Sequence, residues 1–267
     1  MTPGRIDTTK PHPARMYDYY LGGKDHYPID AEAAEGVLSI NPHAAHGARA
    51  LRRFMQRSTH FLAAEAGIRQ FLDIGTGIPT EPNLHQVAQS VHPEARIVYA
   101  DNDPIVLTHA RALLRSSAQG RTAYLDADVR EPDKILGAPE LLDTIDLSQP
   151  VALSLNALLH FVPDEFHAYE LVSAFVDALA PGSYLVVSHV TYDFDPEAIL
   201  KVIAHYNASG IPAQSRTKAE VTAFFDGLEL VEPGVVPVHQ WRAGADDPTA
   251  GYTNQQAASY VGVALKR

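Results

Sequence analysis

The stretch Phe-Leu-Asp-Ile-Gly-Thr-Gly-Ile-Pro-Thr at residues 71–80 decides the fold. A strand-like run at residues 68–74 leads into its two glycines, and residues 84–91 then follow a helical pattern. The glycines let the backbone turn sharply and approach a ligand closely. The G-x-G turn alone is weak evidence, because the third glycine of the dinucleotide fingerprint is missing and Pro79 stands near its place. The stretch predicts a β–turn–α unit with a ligand at the strand end; the alternative is the same junction without a ligand.

Strand-like and helical runs alternate through the rest of the chain. The strand-like runs cover residues 95–100, 122–125, 151–155, 184–188, 228–238 and 260–265. The helical runs cover residues 104–117, 163–180, 196–208 and 217–225. Such alternation around apolar central strands predicts an α/β fold, with a doubly wound, mostly parallel sheet covered by helices on both faces. The last two strand-like runs have no long helix between them, which predicts an antiparallel pair at one edge.

The N-terminal quarter has a different pattern. Residues 1–14 contain three prolines and a glycine and predict an extended arm. From about Asp30 to Gly67 the pattern is helical, with a break at Asn41-Pro42. The second helix there has one apolar face, formed by Leu51, Phe54, Met55, Phe61 and Leu62. We therefore expect an arm and helical cap at residues 1–66 and a ligand-binding α/β domain at residues 67–267.

Composition excludes several classes of protein. The 267 residues are 46% hydrophobic and 20% charged, as in ordinary globular domains. The 21 basic and 32 acidic residues give a net charge of −11, which disfavours a nucleic-acid partner. The absence of cysteine excludes disulfides, cysteine nucleophiles and cysteine metal sites. Since there is neither an apolar run of membrane length nor an N-terminal signal-peptide core, we expect a cytoplasmic protein without a membrane partner; its oligomeric state stays open.

Polar side chains stand at the ends of four predicted strands. Asp73 lies two residues before the first glycine, and Asp101 ends the second strand, where a carboxylate can hold both ribose hydroxyls. Asp101 also fits a helix cap, so that interpretation stays open. After the third strand Asp128 can meet an adenine amino group, with Val129 against the ring, or it is a solvated loop acid. Asn156 falls where the fourth strand ends, and its backbone can face a ligand.

Together these features resemble class I S-adenosylmethionine-dependent methyltransferases. Within that class the sequence resembles one family of predicted S-adenosyl methyltransferases in the segments 13–25 (PARMYDYYLGGKD), 73–80 (DIGTGIPT), 99–104 (YADNDP) and 188–191 (SHVT). The resemblance spans nearly the whole chain, and the first two segments are the specific ones. It implies the strand order 3-2-1-4-5-7-6, a methyltransferase domain at residues 67–267, S-adenosylmethionine as cofactor and S-adenosylhomocysteine as product.

The resemblance also implies a role for the residues at the strand ends. Residues 75–77 pass close to the methionine moiety and the ribose, Asp73 orients the amino group, and Asp101 holds the ribose hydroxyls. Asn102 and the pair 128–129 flank the adenine. With the N-terminal segment included, the expected cofactor-binding residues are Arg15, Tyr20, Asp73, Gly75, Thr76, Gly77, Asp101, Asn102, Asp128, Val129 and Asn156.

The N-terminal segment 15–23 is expected to fold over the cofactor, with Tyr20 or Arg15 near the methionine carboxylate. An aromatic-rich segment that ends in two glycines suits a mobile lid. It suits equally a core-packed helix with a glycine stop signal. His26 and Glu81 depart from the family pattern, and substrate handling differs here if His26 replaces a contact residue.

Catalysis with this activated methyl donor needs alignment and exclusion of water more than it needs a base. If the acceptor must lose a proton, His160 and His189 are the candidate catalytic residues, since histidine titrates near neutrality. No Ser-His-Asp triad and no metal-ligand spacing is recognisable, so no metal is expected. The predicted function is methyl transfer to an unidentified small molecule. The alternatives are a nicotinamide-dependent oxidoreductase and a non-catalytic S-adenosylmethionine-binding module.

Overall fold

The structure is a computed structural model that describes residues 7–113 and 116–267. Its helices are α1 (Pro13–Leu21), α2 (Pro28–Ile40), α3 (Ala44–Ala64), α4 (Leu84–Val91), α5 (Pro104–Leu113), α6 (Pro132–Leu136), α7 (Pro139–Leu142), α8 (Ala168–Asp177), α9 (Pro196–Ala208), α10 (Lys218–Ala223) and α11 (Asn254–Ala257). Its strands are β1 (Gln70–Ile74), β2 (Arg96–Asp101), β3 (Arg121–Asp126), β4 (Ala152–Leu155), β5 (Tyr184–Val190), β6 (Glu229–Leu230), β7 (Val236–Pro237) and β8 (Ser259–Leu265). Residues 1–6 of the predicted arm and residues 114–115 of the predicted helix 104–117 lie outside the described residues.

The strands form one sheet in the order β3-β2-β1-β4-β5-β8-β6, and β7 also pairs with β8. The pairs among β1 to β5 are parallel, and β8 runs antiparallel to β5, β6 and β7. With the final strand counted as the seventh, the predicted order 3-2-1-4-5-7-6 and the antiparallel edge are confirmed. In the parallel register Asp73 lies opposite Tyr99 and Ser154 on the two neighbouring strands. The carboxyl ends of β1 to β4 therefore meet at one edge, where ligands bind in sheets of this kind.

The main local difference between the predicted and the observed strands lies at residues 228–238, which were predicted to form one strand. The strands there are limited to residues 229–230 and 236–237, and each short pairing with β8 continues by one backbone hydrogen bond, from the N–H of Val231 or of Val238. Between the two strands the Gly234 N–H donates to the Val231 carbonyl (2.8 Å) and closes a turn that contains a proline. Because proline has no N–H to donate to a ladder, the pairing is interrupted there.

Apolar side chains pack on both faces of the sheet. Leu72 and Ile74 of β1 belong to the cluster that packs under α8 and α10. Phe71 belongs to the opposite cluster, with α3, α4 and the fully buried Trp241. Because side chains alternate along a strand, Asp73 lies on the same face as Phe71, toward α3. The alternation thus places one carboxylate at the end of β1 beneath a helix from the N-terminal region.

The N-terminal helices divide between two clusters. The apolar face predicted for α3 is buried in the core beside β1 and β2 and consists of Leu51, Phe54, Met55, Phe61 and Leu62. In α1 and α2, by contrast, Met16 and Val37 pack with Val202 of α9 in a separate cluster. Since α3 shares its core with the sheet, the division at residues 66 and 67 stays a prediction.

Candidate active site

A cavity of about 390 Å³ lies at the carboxyl ends of the parallel strands, beneath α1. This volume falls within the roughly 300–1,000 Å³ of small-molecule sites. The predicted site residues that line the cavity are Tyr20, Asp73, Gly75, Thr76, Gly77, Asp101, Asn102, Asp128, Val129, Asn156 and His160. Arg15 and His189 do not line it, so the structure brings together all but two of the predicted residues.

The glycine turn after β1 forms the floor of this cavity. Gly75 and Gly77 have left-handed backbones, with φ of 74° and 67°, which glycine adopts without steric cost. The Gly75 N–H donates to the Ala100 carbonyl (2.8 Å), which ties the turn to β2. A Cβ atom on Gly75 would lie 2.6 Å from Cδ1 of Leu158, a neighbour in the cavity wall. The turn therefore admits a larger side chain at Gly75 only if that wall is displaced.

Asp101 holds the end of β2 against the glycine turn. Its Oδ2 accepts the Gly77 N–H (2.9 Å), and its Oδ1 accepts the Asp103 N–H (2.9 Å). Burial raises the pKa of Asp101, and these two N–H groups oppose the rise. Because each carboxylate oxygen has two lone pairs, both oxygens can still accept a hydroxyl hydrogen bond from a ligand. The contact with the Asp103 N–H and a ligand contact are thus compatible in one side chain. Asp103, and not Asp101, caps α5, because its Oδ1 accepts the Ile105 N–H (3.0 Å).

Asp73 is the buried carboxylate at the end of β1. Burial raises its pKa to about 7, although hydrogen bonds from Ser154 and Thr76 and the charge of Arg52 oppose the rise. The Ser154 hydroxyl also accepts a hydrogen bond from Asn156 Nδ2 (2.7 Å). Asn156 Oδ1 is buried and has no partner among the described residues. The chain of contacts therefore leaves one unsatisfied acceptor at the end of β4, on the cavity wall.

Arg52 of α3 is a cavity-lining cation that the sequence analysis missed. Its Nη2 donates to the Pro82 carbonyl (3.0 Å), while its buried Nε has no partner among the described residues. It lies close enough to Asp73 for their charges to interact. Only the packing of α3 on the sheet creates this proximity, since the two residues are joined by no local motif. Arg52 is thus a candidate partner for an anionic ligand group beside Asp73.

The predicted adenine contacts lie beyond β2 and β3. Asn102 Nδ2 donates to Asp128 Oδ2 (3.1 Å), and the Arg130 guanidinium donates to both oxygens of Asp128 (2.9 and 2.5 Å). Burial acts to raise the pKa of Asp128, but the hydrogen bonds from Arg130 and Asn102 outweigh it, so the pKa lies below its ordinary value. Val129 is largely buried next to them. This end of the cavity combines an ionised carboxylate, an amide and an apolar side chain.

Helix α1 covers the cavity, but its two predicted contact residues have different positions. Tyr20 lines the cavity, and its hydroxyl lies 3.1 Å from that of Tyr206 in α9. Arg15 points away into a buried ion pair: its Nε lies 3.2 Å from Asp103 Oδ2, and its Nη1 lies 3.5 Å from Asp30 Oδ2. Arg15 therefore does not reach a methionine carboxylate in the cavity. It fastens α1 to α2 and to the loop that follows Asp101.

The two predicted catalytic histidines also differ. His160 lines the cavity with a buried, unpartnered Nδ1, and burial, with the charge of Arg216, lowers its pKa to about 3. His189 is fully buried behind it. Its Nδ1 donates to the Val190 carbonyl (2.7 Å) and its Nε2 accepts from Arg216 Nη1 (2.7 Å). Since both ring nitrogens are engaged, His189 has no free atom for a substrate. His160 is neutral near pH 7 and a weak base, so it suits a hydrogen-bonding role better than proton abstraction.

The buried Arg216 holds the loop that carries His160. It donates to the carbonyls of Leu159 and Val162 (both 3.1 Å) and to Asp164 Oδ1 (2.6 Å). Its guanidinium lies over the ring of Phe224, 5.1 Å from the ring centre. These contacts fix both ends of the 3-10 turn at residues 159–161 and so position His160 and Phe161 at the cavity.

The wall opposite the strand ends has a different chemistry. We call it the cap wall and define it by the cavity-lining side chains Tyr17, Tyr20, Val37, Leu51, Phe161, Val202, Tyr206 and Ile211. They come from α1, α2, α3, α9 and two loops. We call the remaining part, which contains Asp73, residues 75–77, Asp101, residues 128–130 and Arg52, the strand-end half. The sequence analysis identified the strand-end half except for Arg52 and Arg130. Of the cap wall it named only Tyr20 as a site residue, because the members of this wall share no motif.

His26 and Glu81, the departures from the family pattern, lie off the cavity lining. The Nδ1 of His26 lies 3.0 Å from Asp18 Oδ2. Glu81 accepts a hydrogen bond from Gln86 (3.2 Å). Neither is positioned to contact a molecule in this cavity.

Comparisons with known proteins agree with this geometry. A family model described as S-adenosyl methyltransferase matches residues 1–267, and the chain belongs to that family. A DUF574 family protein from Streptomyces avermitilis MA-4680 is 52% identical, with a TM-score of 0.96 over 98% of this chain and 100% of that one. A Thermobifida fusca YX protein, provisionally assigned as a methyltransferase, is 39% identical, with a TM-score of 0.91 over 100% of this chain and 98% of that one. The cofactor is therefore S-adenosylmethionine.

More distant structures bear on the fold alone. An S-adenosylmethionine-dependent methyltransferase from Anabaena variabilis ATCC 29413 is 13% identical, with a TM-score of 0.51 over 100% of this chain and 99% of that one. It confirms the class I methyltransferase fold. No curated protein is significantly similar in sequence. Within the described ranges, no helix is both long and apolar enough to cross a membrane.

Proposed function

We propose that the protein transfers the methyl group of S-adenosylmethionine to a small-molecule acceptor, with both molecules bound in the cavity at the strand ends. The observation that carries this proposal is the division of one continuous cavity into two chemically distinct parts. The strand-end half offers carboxylates, a guanidinium and a glycine turn, which match the polar groups of the cofactor. The cap wall is left to contact a second molecule. The family of the chain supports the reaction class, and the cavity supports a small acceptor.

The strand-end half fits the nucleoside part of the cofactor. Asp101 would accept both ribose hydroxyls with the lone pairs that the Gly77 and Asp103 N–H groups leave free. Asp128 and Asn102 would meet the adenine amino group and ring edge, with Val129 against the ring face. All of these groups are present in the cavity wall without rearrangement.

The methionine part of the cofactor carries an ammonium and a carboxylate, and the cavity offers one partner for each. The Asp73 carboxylate would pair with the ammonium, and Arg52 would pair with the carboxylate through its unpartnered Nε. Asn156 Oδ1, the unsatisfied acceptor on β4, is available to the ammonium as well. Arg52 therefore takes the role that the sequence resemblance suggested for Arg15 or Tyr20.

The bound cofactor supplies a methyl group that its positive sulfur already activates. The work of the chain is to align an acceptor with that methyl group and to exclude water. Helix α1 covers the cavity, and the Arg15 ion pairs with Asp30 and Asp103 hold it in place. His160, kept neutral by burial, would orient an acceptor through a hydrogen bond rather than remove its proton.

Calorimetric titration of the purified protein with S-adenosylmethionine, S-adenosylhomocysteine and NAD tests the cofactor assignment. We expect micromolar affinity for the first two and no binding of NAD. Asp101→Ala should weaken S-adenosylhomocysteine binding by a hundredfold or more, about 3 kcal/mol. The matched control is Asp126→Ala, since Asp126 pairs with Asp101 in the β-sheet register but is exposed and off the cavity.

Two further results would contradict the proposal. Equal losses of S-adenosylhomocysteine affinity in the Asp101 and Asp126 variants would mean that Asp101 stabilises the fold and does not contact the ligand. Tight cofactor binding with no S-adenosylhomocysteine released over a broad acceptor panel would favour a non-catalytic binding module.

A further inference from the structure

The two parts of the cavity differ in charge. The carboxylates and guanidinium groups that line the cavity belong to the strand-end half, namely Asp73, Asp101, Asp128, Arg52 and Arg130. Among the described residues, the cap wall contributes no carboxylate, ammonium or guanidinium. A charged acceptor would lose its hydration against this wall without gaining an opposite charge, which is costly in a buried site. The cap wall thus favours an uncharged molecule.

The cap wall is also rich in aromatic rings. The rings of Phe161 and Tyr206 meet edge to face, with centroids 5.5 Å apart. The Tyr20 hydroxyl lies 3.1 Å from that of Tyr206, and the Tyr17 hydroxyl donates to the Ala48 carbonyl (2.9 Å), so these hydroxyls already have partners. What the tyrosines offer to a ligand is therefore mainly ring surface. Aromatic side chains pair well with a flat aromatic ring in offset or edge-to-face contact.

Two histidines at the cavity provide hydrogen-bonding atoms beside these rings. His160 Nδ1 and His43 Nδ1 are both buried and unpartnered among the described residues. An unpartnered buried nitrogen costs free energy until a ligand satisfies it. A hydroxyl group on the bound molecule supplies that partner without adding charge.

The weak basicity of the histidines at the site favours a phenolic over an aliphatic hydroxyl group. The low pKa of His160, about 3, makes it a weak base, and His189 behind it has both nitrogens engaged. A phenolic hydroxyl ionises with a pKa of about 10, far more readily than an aliphatic alcohol, and needs less help from a base.

We propose, on the basis of the proposed function, that the acceptor is an uncharged aromatic compound with a hydroxyl group, and that the methyl group goes to that oxygen. The acceptor oxygen forms the new O–C bond as the S–C bond of the cofactor breaks. The electron pair of that bond goes to sulfur, which becomes the neutral thioether of S-adenosylhomocysteine. The hydroxyl proton is released to water. The products are an aryl methyl ether, S-adenosylhomocysteine and a proton.

Binding of matched probes tests this inference without turnover. The protein is saturated with S-adenosylhomocysteine and titrated by calorimetry with 1-naphthol, 1-naphthoate and 1-naphthylmethylammonium, which share one ring system and differ in charge. We expect 1-naphthol to bind at least about tenfold more tightly than either ion. Decahydro-1-naphthol, its saturated analogue, should bind more weakly than 1-naphthol. Equal or tighter binding of an ion, or no binding of 1-naphthol, overturns the inference.

Variants of α9 locate the probe at the cap wall. Val202→Asp places a carboxylate in this wall and should weaken 1-naphthol binding at least about tenfold, with the affinity for S-adenosylhomocysteine unchanged. The control is Leu200→Asp on the exposed face of the same helix, which should change neither affinity. If Val202→Asp fails to fold, Phe161→Leu removes an aromatic ring of the wall and should weaken 1-naphthol by a smaller factor. Unchanged 1-naphthol binding in the folded variant overturns the inference.

The proposed function and this inference fail in different ways. If the wild-type protein does not bind S-adenosylhomocysteine, the proposed function fails, and the inference fails with it. If it binds S-adenosylhomocysteine but does not prefer the neutral aromatic probe, only the inference fails. When both hold, mass spectrometry of reactions that contain 1-naphthol and S-adenosylmethionine should detect the methyl ether of 1-naphthol.

Discussion

The strand-end half and the cap wall enclose the same cavity but are built in opposite ways. The strand-end half consists mainly of short loops that directly follow β1, β2 and β3, and its charged side chains, except Arg52 of α3, lie within a few residues of a strand end. The cap wall collects side chains from Tyr17 to Ile211, which come from four helices and two loops. The half proposed to hold the cofactor is thus mostly local in sequence, whereas the wall proposed to face the acceptor depends on how distant helices pack.

A small set of ion pairs joins the two halves. Arg15 of α1 lies between Asp30 of α2 and Asp103, two residues after the proposed ribose ligand Asp101. His12 Nδ1 lies 3.1 Å from the same Asp103. The position of α1 over the cavity therefore depends on buried charges near the end of β2, and substitutions there test most directly how the two parts of the cavity are joined.

The largest expected effect is on stability, in Arg15→Met. Removing the buried guanidinium takes from Asp30 and Asp103 the cation that lies between them, which costs roughly 3–5 kcal/mol. Denaturant unfolding measures this loss. The control Arg69→Met removes an exposed arginine paired with Glu94 and should cost less than about 1 kcal/mol. Equal losses in the two variants would show that Arg15 does not fasten the cap.

The next effect is on the cofactor, in Gly75→Val. The new side chain collides with Leu158, and residue 75 must keep a left-handed backbone, so S-adenosylhomocysteine affinity should fall at least a hundredfold, or about 3 kcal/mol. Gly67→Val is the matched control, because Gly67 has a similar φ of 71° but open space around it and lies off the cavity. It should lower stability through backbone strain and leave the affinity unchanged. Similar affinities in the two variants would contradict the close approach of the turn to the ligand.

A smaller effect is expected for Arg52→Met. Loss of the cation that would pair with the methionine carboxylate should weaken cofactor binding about ten- to thirtyfold, the worth of one charge-assisted contact. Arg53→Met is the control, since Arg53 is the next residue on α3 but contacts Gln56 (2.7 Å) and lies off the cavity. Calorimetric titration of both variants with S-adenosylhomocysteine should show weaker binding in the Arg52 variant and unchanged binding in the Arg53 variant. If only the Arg53 variant lost cofactor affinity, Arg52 would not be the partner of the methionine carboxylate.

The smallest effect is a pH dependence set by Asp73. Its pKa of about 7 in the unliganded protein lies above the ordinary 3.8, so the folded state binds more protons than the unfolded state between these values. The contribution of Asp73 to stability therefore falls as pH rises from about 4 to about 7. Cofactor affinity should change in the opposite sense, because the ligand ammonium pairs with the ionised carboxylate.

We expect the affinity for S-adenosylhomocysteine to rise about tenfold between pH 5.5 and pH 7, as the ionised fraction of Asp73 grows. Asp73→Asn has no such titration and should bind weakly with a flat profile across this range. Parallel pH profiles for the wild type and this variant would assign the titration to another group.

The sequence by itself determined the sheet and most of the strand-end half of the cavity. Alternating apolar strands and helices specify a mostly parallel sheet, and the glycine turn and acidic strand tips specify the edge of the sheet at which the cavity lies, because each signal lies within one short segment. Asp73, Gly75, Asp101 and Asp128 all line the cavity for this reason. The family resemblance on these same segments agrees with the family that the chain belongs to.

Only the tertiary structure decided which distant side chains meet. The packing of α3 brings Arg52 to Asp73, and the packing of α9 on α1 brings Tyr206 to Tyr20. The same packing removes Arg15 from the cavity into an ion pair. Such outcomes depend on the rotation of each helix about its axis and on which buried charge finds a partner. These are properties of long-range contacts, which no local pattern of residues encodes.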